Sequence, residues 1–238
     1  NVTSNLTITA KYSINSYTIT FDSDGGSPVS SIIQDYGTAI TPPIAPVKEG
    51  YVFAGWDISI PTTMPANDMS LKALWTAGQY TITFNSNGGS PIQSITQDYG
   101  TQVTAPTNPT KKGYTFTGWT PSIPNAMPAG NITVTAQWQI NNYTLAYTAG
   151  ENGTLTGEAS QSVDYMSSGT AVTAVPSIGY HFVKWSDEST SNPRIDASVT
   201  ADLSVEAVFK INTYTVTFKD WDGAVYATQT VDYGTDAT

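Results

Sequence analysis

Most landmarks in the first half of this chain return 63 positions later, with no insertion between them. The run Tyr17-Thr18-Ile19-Thr20-Phe21 returns as Tyr80-Thr81-Ile82-Thr83-Phe84. Tyr36-Gly37 returns as Tyr99-Gly100, Gly50-Tyr51 as Gly113-Tyr114, and Gly55-Trp56 as Gly118-Trp119. Met64-Pro65-Ala66 returns as Met127-Pro128-Ala129, and Trp75 as Trp138. Such an array builds length or presents many copies of one surface, and it is a poor layout for a single active site.

The period sets the expected modules. Repeat 1 spans residues 17–75 and repeat 2 spans 80–138. A third, longer and more diverged, spans 143–209 and keeps Val163-Asp164-Tyr165, Gly179-Tyr180-His181-Phe182 and Lys184-Trp185. Residues 214–238 hold the first half of a fourth. Asn5 to Tyr12 matches Asn131 to Trp138, so residues 1–12 are expected to be the last strand of a preceding repeat. The chain reads as a window on a longer polypeptide. From the last aromatic of one repeat to the first Tyr of the next is always five positions: Tyr12 to Tyr17, Trp75 to Tyr80, Trp138 to Tyr143, Phe209 to Tyr214. That is too short for a free linker, so the modules are expected to form an elongated, stiff rod.

Within a module the pattern is mostly β. Tyr80 to Phe84 and Ile132 to Trp138 alternate large apolar residues with Thr, the period of a half-buried strand. Tyr114 and Phe116 share a parity that Trp119 breaks, so a bulge or kink at Gly118 is expected to turn the indole back to the core. Ile95, Tyr99 and Val103 suggest a further strand bent at Gly100. Asn85 to Pro91 reads as a turn, and the prolines Pro106, Pro109, Pro121, Pro124 and Pro128 mark extended crossovers. No amphipathic helix of three turns is found, though the crossovers leave room for a short one. The expected packing residues are Phe21, Tyr36, Tyr51, Phe53, Trp56 and Trp75, then Phe84, Tyr99, Tyr114, Phe116, Trp119 and Trp138, then Tyr180, Phe182 and Trp185.

Composition excludes several classes. The net charge is −10, and only nine residues are basic, which argues against nucleic acid and sulfated glycans. No apolar run approaches the ~20 residues of a membrane span, so no membrane insertion is expected. Cysteine is absent, which removes disulfides, thiol nucleophiles and thiolate-held zinc.

These motifs resemble the Listeria–Bacteroides repeat, or internalin B-repeat, family. The second module carries the pattern throughout: Phe84 to Gly89 as the Asn-Gly-Gly turn, Tyr99-Gly100, Pro106, Pro109, Gly113 to Trp119 as Gly-Tyr-x-Phe-x-Gly-Trp, and Ala136-Gln137-Trp138. The first module matches as well. The third has Lys184 where Gly precedes Trp, and resembles the related bacterial repeat with Gly-Tyr-x-Phe-x-x-Trp. The fourth has Asp222-Gly223 in place of Gly-Gly. The resemblance implies small β-grasp-like modules, related in shape to ubiquitin-like and mucin-binding-like domains. It also implies a place in large secreted or wall-attached bacterial proteins, often adhesins. It supplies no catalytic residues.

Each candidate site has a structural reading. The pairs Asp35-Tyr36, Asp98-Tyr99, Asp164-Tyr165 and Asp232-Tyr233 are expected to serve a bend, with the Asp accepting backbone donors and the Tyr hydroxyl bonded locally. Asp22-Ser23-Asp24-Gly25-Gly26 superficially resembles a calcium loop, but its counterpart Asn85-Ser86-Asn87 has no carboxylate, so turn chemistry is expected. Trp56, Trp119 and Trp185 read as core plugs. Tyr12, Trp75 and Trp138 are expected at the junctions, packing between neighbours and available to a ligand. His181 stands alone among histidines, and Asp187-Glu188 reads as a solvated loop. The sequons at Asn5, Asn131, Asn142 and Asn152 follow from a Thr- and Asn-rich composition. No catalytic, cofactor-binding or metal-binding residues are expected.

The expected function is structural: an extracellular or bacterial cell-surface stalk that spaces an adhesive head or assembles into a fibre. Its partners would be neighbouring repeats of the same chain. The alternative is a binding module that recognises a cell-surface protein or glycan through strand edges or junction aromatics. Self-association of unpaired end strands is a subordinate expectation.

Overall fold

Alternation of Thr with large apolar residues builds the same sheet three times. The computed structural model describes residues 1–238 and contains sixteen strands and no helix. It forms two compact units. The first comprises Asn1–Asn87, Pro91–Thr107 and Trp119–Ala136, and the second comprises Gly88–Ser90, Asn108–Gly118 and Gln137–Thr238.

In the first unit, β1 (Ser16–Asp22), β2 (Ile32–Asp35), β3 (Tyr51–Trp56) and β4 (Met69–Ala77) form a sheet of order β2-β1-β4-β3. The central pair β1 and β4 is parallel, with Ile19 opposite Met69 and Phe21 opposite Leu71. Parallel neighbours need a long crossover, and residues 23–68 supply it while contributing the two outer strands. Ile19 and Leu71 point inward and are fully buried, while Thr18, Thr20 and Lys72 alternate away from them. Met64 closes the other side of this core at 1% exposure. It is held by the Tyr-Gly-Thr loop, because Gly37 N–H donates to Met64 O and Met64 N–H donates to Thr38 O, each at 2.9 Å.

The second module repeats the arrangement with β5 (Gln79–Asn85), β6 (Ile95–Asp98), β7 (Tyr114–Thr120) and β8 (Ile132–Ile140), in the order β6-β5-β8-β7. Its core of Ile82, Phe84, Val103, Met127 and Val134 lies in the first unit.

In the second unit, β9 (Asn142–Ala149), β11 (Ser160–Asp164), β13 (Tyr180–Trp185) and β14 (Leu203–Ile211) form the third sheet, in the order β11-β9-β14-β13. The extra length of this module adds a small pair, β10 (Gly153–Thr156) with β12 (Thr173–Pro176). A hairpin of β15 (Thr213–Lys219) and β16 (Val225–Asp232) follows.

One side-chain contact recurs at the head of each parallel pair. Thr18 N–H donates to the Asp68 carboxylate at 2.7 Å, Thr81 N–H to Asn131 Oδ1 at 2.8 Å, and Thr144 N–H to Asp202 Oδ1 at 2.8 Å. An Asp or Asn at this position sets where the closing strand meets the opening one.

Gly118, where the kink is expected, has a φ of +142°, and the first module shows the corresponding break. The ladder of β3 with β4 shifts register between Phe53 and Gly55, whose φ is +120°. Trp56 thereby turns onto Phe21, with ring centroids 4.9 Å apart. The third module bulges at the same place, between Phe182 and Lys184, without a glycine.

Residues 5–12 carry no strand in this structure. Two local expectations are corrected. β6 stops at Asp98, since the chain turns at Tyr99-Gly100 and does not continue as a bent strand to Val103. No short helix forms in any crossover. The fully buried residues are mostly aliphatic or Met, while Tyr36 is 57% and Tyr51 37% exposed. A single sheet under one layer of loops has a narrow interior, so most rings lie at its margin with one edge in water. Trp185, Tyr147 and Phe84 are the exceptions, at 0%, 3% and 7% exposure.

Ile82→Ala is expected to cost ~2–5 kcal/mol by the cavity it opens, whereas outward-facing Thr83→Ala should stay within about 0.5 kcal/mol of the parent. Urea unfolding of the two variants checks this.

Candidate functional site

The recurrent constellation with a role beyond one module's own core lies at the short connections. Each connection has a central residue two positions before the next opening Tyr: Gly78, Asn141 and Asn212. Each is stapled on both sides by backbone hydrogen bonds. Gly78 N–H donates to Gly50 O at 2.8 Å, and Gly78 O accepts from Tyr99 N–H at 2.8 Å. Asn141 N–H donates to Gly113 O at 3.0 Å, and Asn141 O accepts from Tyr165 N–H at 2.8 Å. Asn212 N–H donates to Gly179 O at 2.8 Å, and Asn212 O accepts from Tyr233 N–H at 2.8 Å. A glycine of one module is thus linked through one residue to a tyrosine of the next.

The tyrosine ring then covers that glycine. A Cβ at Gly50 would lie 2.3 Å from Tyr99 Cδ1, one at Gly113 2.0 Å from Tyr165 Cδ1, and one at Gly179 2.2 Å from Tyr233 Cδ1. All three glycines also have φ near +80°. The position therefore needs glycine both for its turn and for its neighbour's ring. Tyr99 sits between Tyr51 of the preceding module, at 5.4 Å and 77°, and Tyr80 of its own, at 6.5 Å and 79°. Tyr165 sits likewise between Tyr114 and Tyr143, at 6.4 and 6.5 Å.

The linker side chain adds a matched pair. Thr115 Oγ1 donates to Asn141 Oδ1 at 2.7 Å, and His181 Nδ1 lies 2.8 Å from Asn212 Oδ1. Thr115 and His181 each stand two positions after the junction glycine. Where the linker residue is Gly78, which has no side chain to pair, that position is apolar Val52.

The Asp-Tyr pairs therefore act differently from the expectation. Tyr99, Tyr165 and Tyr233 reach the preceding module rather than a local partner, whereas Tyr36 is exposed. At the bend the backbone carbonyl of Asp35 and Asp98 accepts from Thr38 and Thr101, while the Asp35 and Asp164 carboxylates accept from Ser16 and Asn142 on the opposite strand. Trp75 and Trp138, expected between modules, instead cover the Gly-Gly turn of their own. A Cβ at Gly26 would meet Trp75 Cζ2 at 2.6 Å, and one at Gly89 would meet Trp138 Cζ2 at 2.5 Å. Trp75 Nε1–H also donates to Ser23 O at 3.1 Å. Lys48 lies over Tyr51 and Trp75 at 4.9 and 5.6 Å, and Lys111 over Tyr114 and Trp138 at 4.4 and 5.8 Å. Tyr12 is 93% exposed. The Asp24 carboxylate in the calcium-like loop faces Lys72 at 2.9 Å, which holds it below the usual carboxylate range.

The remaining expected residues take these places. Phe53 packs edge-on to Trp56 and Trp75, and Phe116 to Trp138. Phe84 meets Trp119 at 5.2 Å, and Phe182 lies between Trp185 and Phe209. Tyr180 N–H donates to Ser177 O in the turn at Gly179.

Sequence reasoning missed a charge cluster around the buried Arg194 in the third module. Asp187, expected in a solvated loop, accepts both Nη groups of Arg194 at 2.8 and 2.7 Å. The same guanidinium donates to Asp196 through Nε and Nη2, and Tyr147 Oη–H donates to Asp196 at 2.7 Å. Arg194 is 5% exposed and lies 5.6 Å from the Trp185 ring. Bonding to Arg194 holds both carboxyls below their ordinary range, against desolvation, and burial pushes the Tyr147 hydroxyl up. Glu188 pairs with Lys184 at 2.7 Å. Arg194 is two positions from Asp196 and seven from Asp187, while Tyr147 is 49 from Asp196, separations with no common period to read in the sequence. The four polar groups are satisfied by one another, so the arrangement anchors the loop rather than offering a free acid or base.

A family model described as Listeria-Bacteroides repeat domain matches residues 17–73 and 80–137, and one described as divergent InlB B-repeat domain matches residues 143–213. Two proteins of Evansella cellulosilytica are similar. One, named as a membrane protein, is 34% identical over 79% of this chain and 31% of its own length. The other, named as a Gly-rich membrane protein, is 31% identical over 90% of this chain and 26% of its own. Internalin H of Listeria monocytogenes is 39% identical over 53% of this chain and 26% of its own length. The chain spans less than a third of the length of each of these relatives.

Tyr99→Ala should lower the unfolding free energy of the first unit by ~1–3 kcal/mol and speed exchange of the Gly78 amide, while Thr96→Ala leaves both unchanged. Thermal unfolding with amide exchange reads this out. The third module should respond to acid. Its carboxyl values are lowered on folding, so their contribution is present above the unfolded value of about 4 and is lost as pH falls through the folded values. Trp185 fluorescence should report that loss below about pH 4, with a shallower slope in Asp187→Asn.

Proposed function

Because its first two modules belong to the Listeria–Bacteroides repeat family and its third to the divergent InlB B-repeat family, we propose that this region is an extracellular spacer of a bacterial surface protein. The observation that carries the reading is the junction. Every connection between successive modules uses the same two backbone bonds and the same ring over glycine. A connection built this way resists bending, and repeating it gives reach. The thin sheets are β-grasp-like in the sense of a parallel central pair flanked by two antiparallel strands, and strand ladders of that kind resist extension. The relatives named as membrane proteins and as an internalin support the surface location.

A second reading is supported by the sheet edges. β2 and β3 are the outer strands of their sheet and present unpaired backbone on one side, where a cell-surface protein could add a strand, and a glycan could dock on the exposed Thr rows.

Small-angle scattering over a concentration series separates these. A compact particle of this length has a radius of gyration of about 18 Å. The spacer reading expects a value well above that, independent of concentration and calcium, and a compact particle contradicts it. Growth with concentration would support assembly into fibres instead.

A further inference from the structure

The crossover of the first module from Thr41 to Val47 is a proline-rich strap. Pro42, Pro43 and Pro46 fix their own φ at about −65° and hold the residue before each of them extended. Of residues 41–46 only Ile44 is left unconstrained. No backbone hydrogen bond involves residues 41–46, as suits a polyproline helix of about three residues per turn whose peptide groups face water. Burial follows that period. Pro43 is half-buried and Pro46 buried, while Ile44 and Val47 form an outward ridge at 92% and 73% exposure. Pro42 and Ala45 beside them are exposed as well.

The second module shows what the fold itself requires of this strap. Pro106 and Pro109 keep the inward places, with the same burial. The strap ends are tied alike, since Val47 N–H donates to Ser27 Oγ and Thr110 N–H to Ser90 Oγ, each at 3.0 Å. The outward ridge there is Thr107 and Thr110, and Asn108 stands in place of Ala45. Ile44 is therefore the most exposed of the large aliphatic side chains at a place where the fold accepts Thr. Beside it opens a cavity of about 290 Å³, lined by Pro28, Val29, Pro43, Ile44 and Ala45 among others. At the end of the strap Lys48 is drawn back over Tyr51 and Trp75 and donates to Asp24 O at 2.7 Å. The exposed charge next to it is Glu49, where the second module has Lys112.

We propose that the Ile44–Val47 ridge is a docking surface for the aromatic-lined groove of another protein, one that carries a cation opposite Glu49. A polyproline segment suits such a groove because it is already extended, so little conformational freedom is lost when its ridges seat between rings. The cavity beside Ile44 receives one ring of the partner. Glu49 against Lys112 is the charge difference by which the partner prefers the first module to the second. The inference goes beyond the spacer reading and uses one module alone.

The test follows the methyl and amide NMR signals of the whole chain during titration with tryptamine, an indole bearing an ammonium group, and with the anionic indole-3-acetate. Saturable shifts at Val29, Ile44 and Val47 are expected, with tryptamine about threefold tighter. Ile44→Thr with Val47→Thr should abolish them without lowering the thermal midpoint, because the second module folds with Thr at both places. Glu49→Lys should erase the preference between the probes. No saturable shift at the ridge, equal shifts at Thr107 and Thr110, or shifts that survive the double variant would each overturn the proposal. Broadening at Ile44 that grows with protein concentration and no probe also overturns it, by assigning the ridge to a second copy of this chain.

Discussion

The hydrogen-bonded relay from a glycine carbonyl, through one linker residue, to a tyrosine amide is the constraint on which the array depends. Modules of this size sit near the lower limit for an independent core, and each gains from covering its neighbour. The relay satisfies backbone groups that a short connection would otherwise leave to water, and it does so with no side-chain requirement at Gly78. The tyrosine then converts the missing Cβ of the preceding glycine into contact area. Because the donor and acceptor are backbone, the junction tolerates variation elsewhere. The third module is longer, has its own extra strand pair and still joins in the same way.

The fold was largely legible because a repeat shows its own constraints twice. The Thr alternation announced β5, β8 and the opening strand of the first module, and the parity break read at Trp119 has its counterpart in the register shift before Trp56. The site was much less legible. Tyr99 and Gly50 lie 49 positions apart and belong to different modules, so no local pattern joins them. Trp75 is closer to the junction in sequence, but its indole turns back onto Gly26. The pairing of Asn141 with Thr115 and of Asn212 with His181, against Gly78 with Val52, was present in the sequence as a signal. It became readable only once the linker residue was known to be the hub.

The third module shows how a diverged copy keeps the architecture while changing what secures it. Met64 and Met127 close the first two cores, and Val199 takes that place in the third. The longer loop there is tied down by Arg194 between Asp187 and Asp196, beside Trp185. Burying the Arg194 guanidinium costs desolvation, which its bonds to the two carboxylates offset.

On the spacer reading the Gly78 junction holds the first two modules at one orientation. The chain has no cysteine, so Thr20→Cys with Thr83→Cys places one spin label on the exposed face of each of the first two modules. Pulsed electron–electron resonance then measures the distance distribution between them. A single narrow distribution is the result predicted, and a broad one, as from freely jointed modules, would contradict the account.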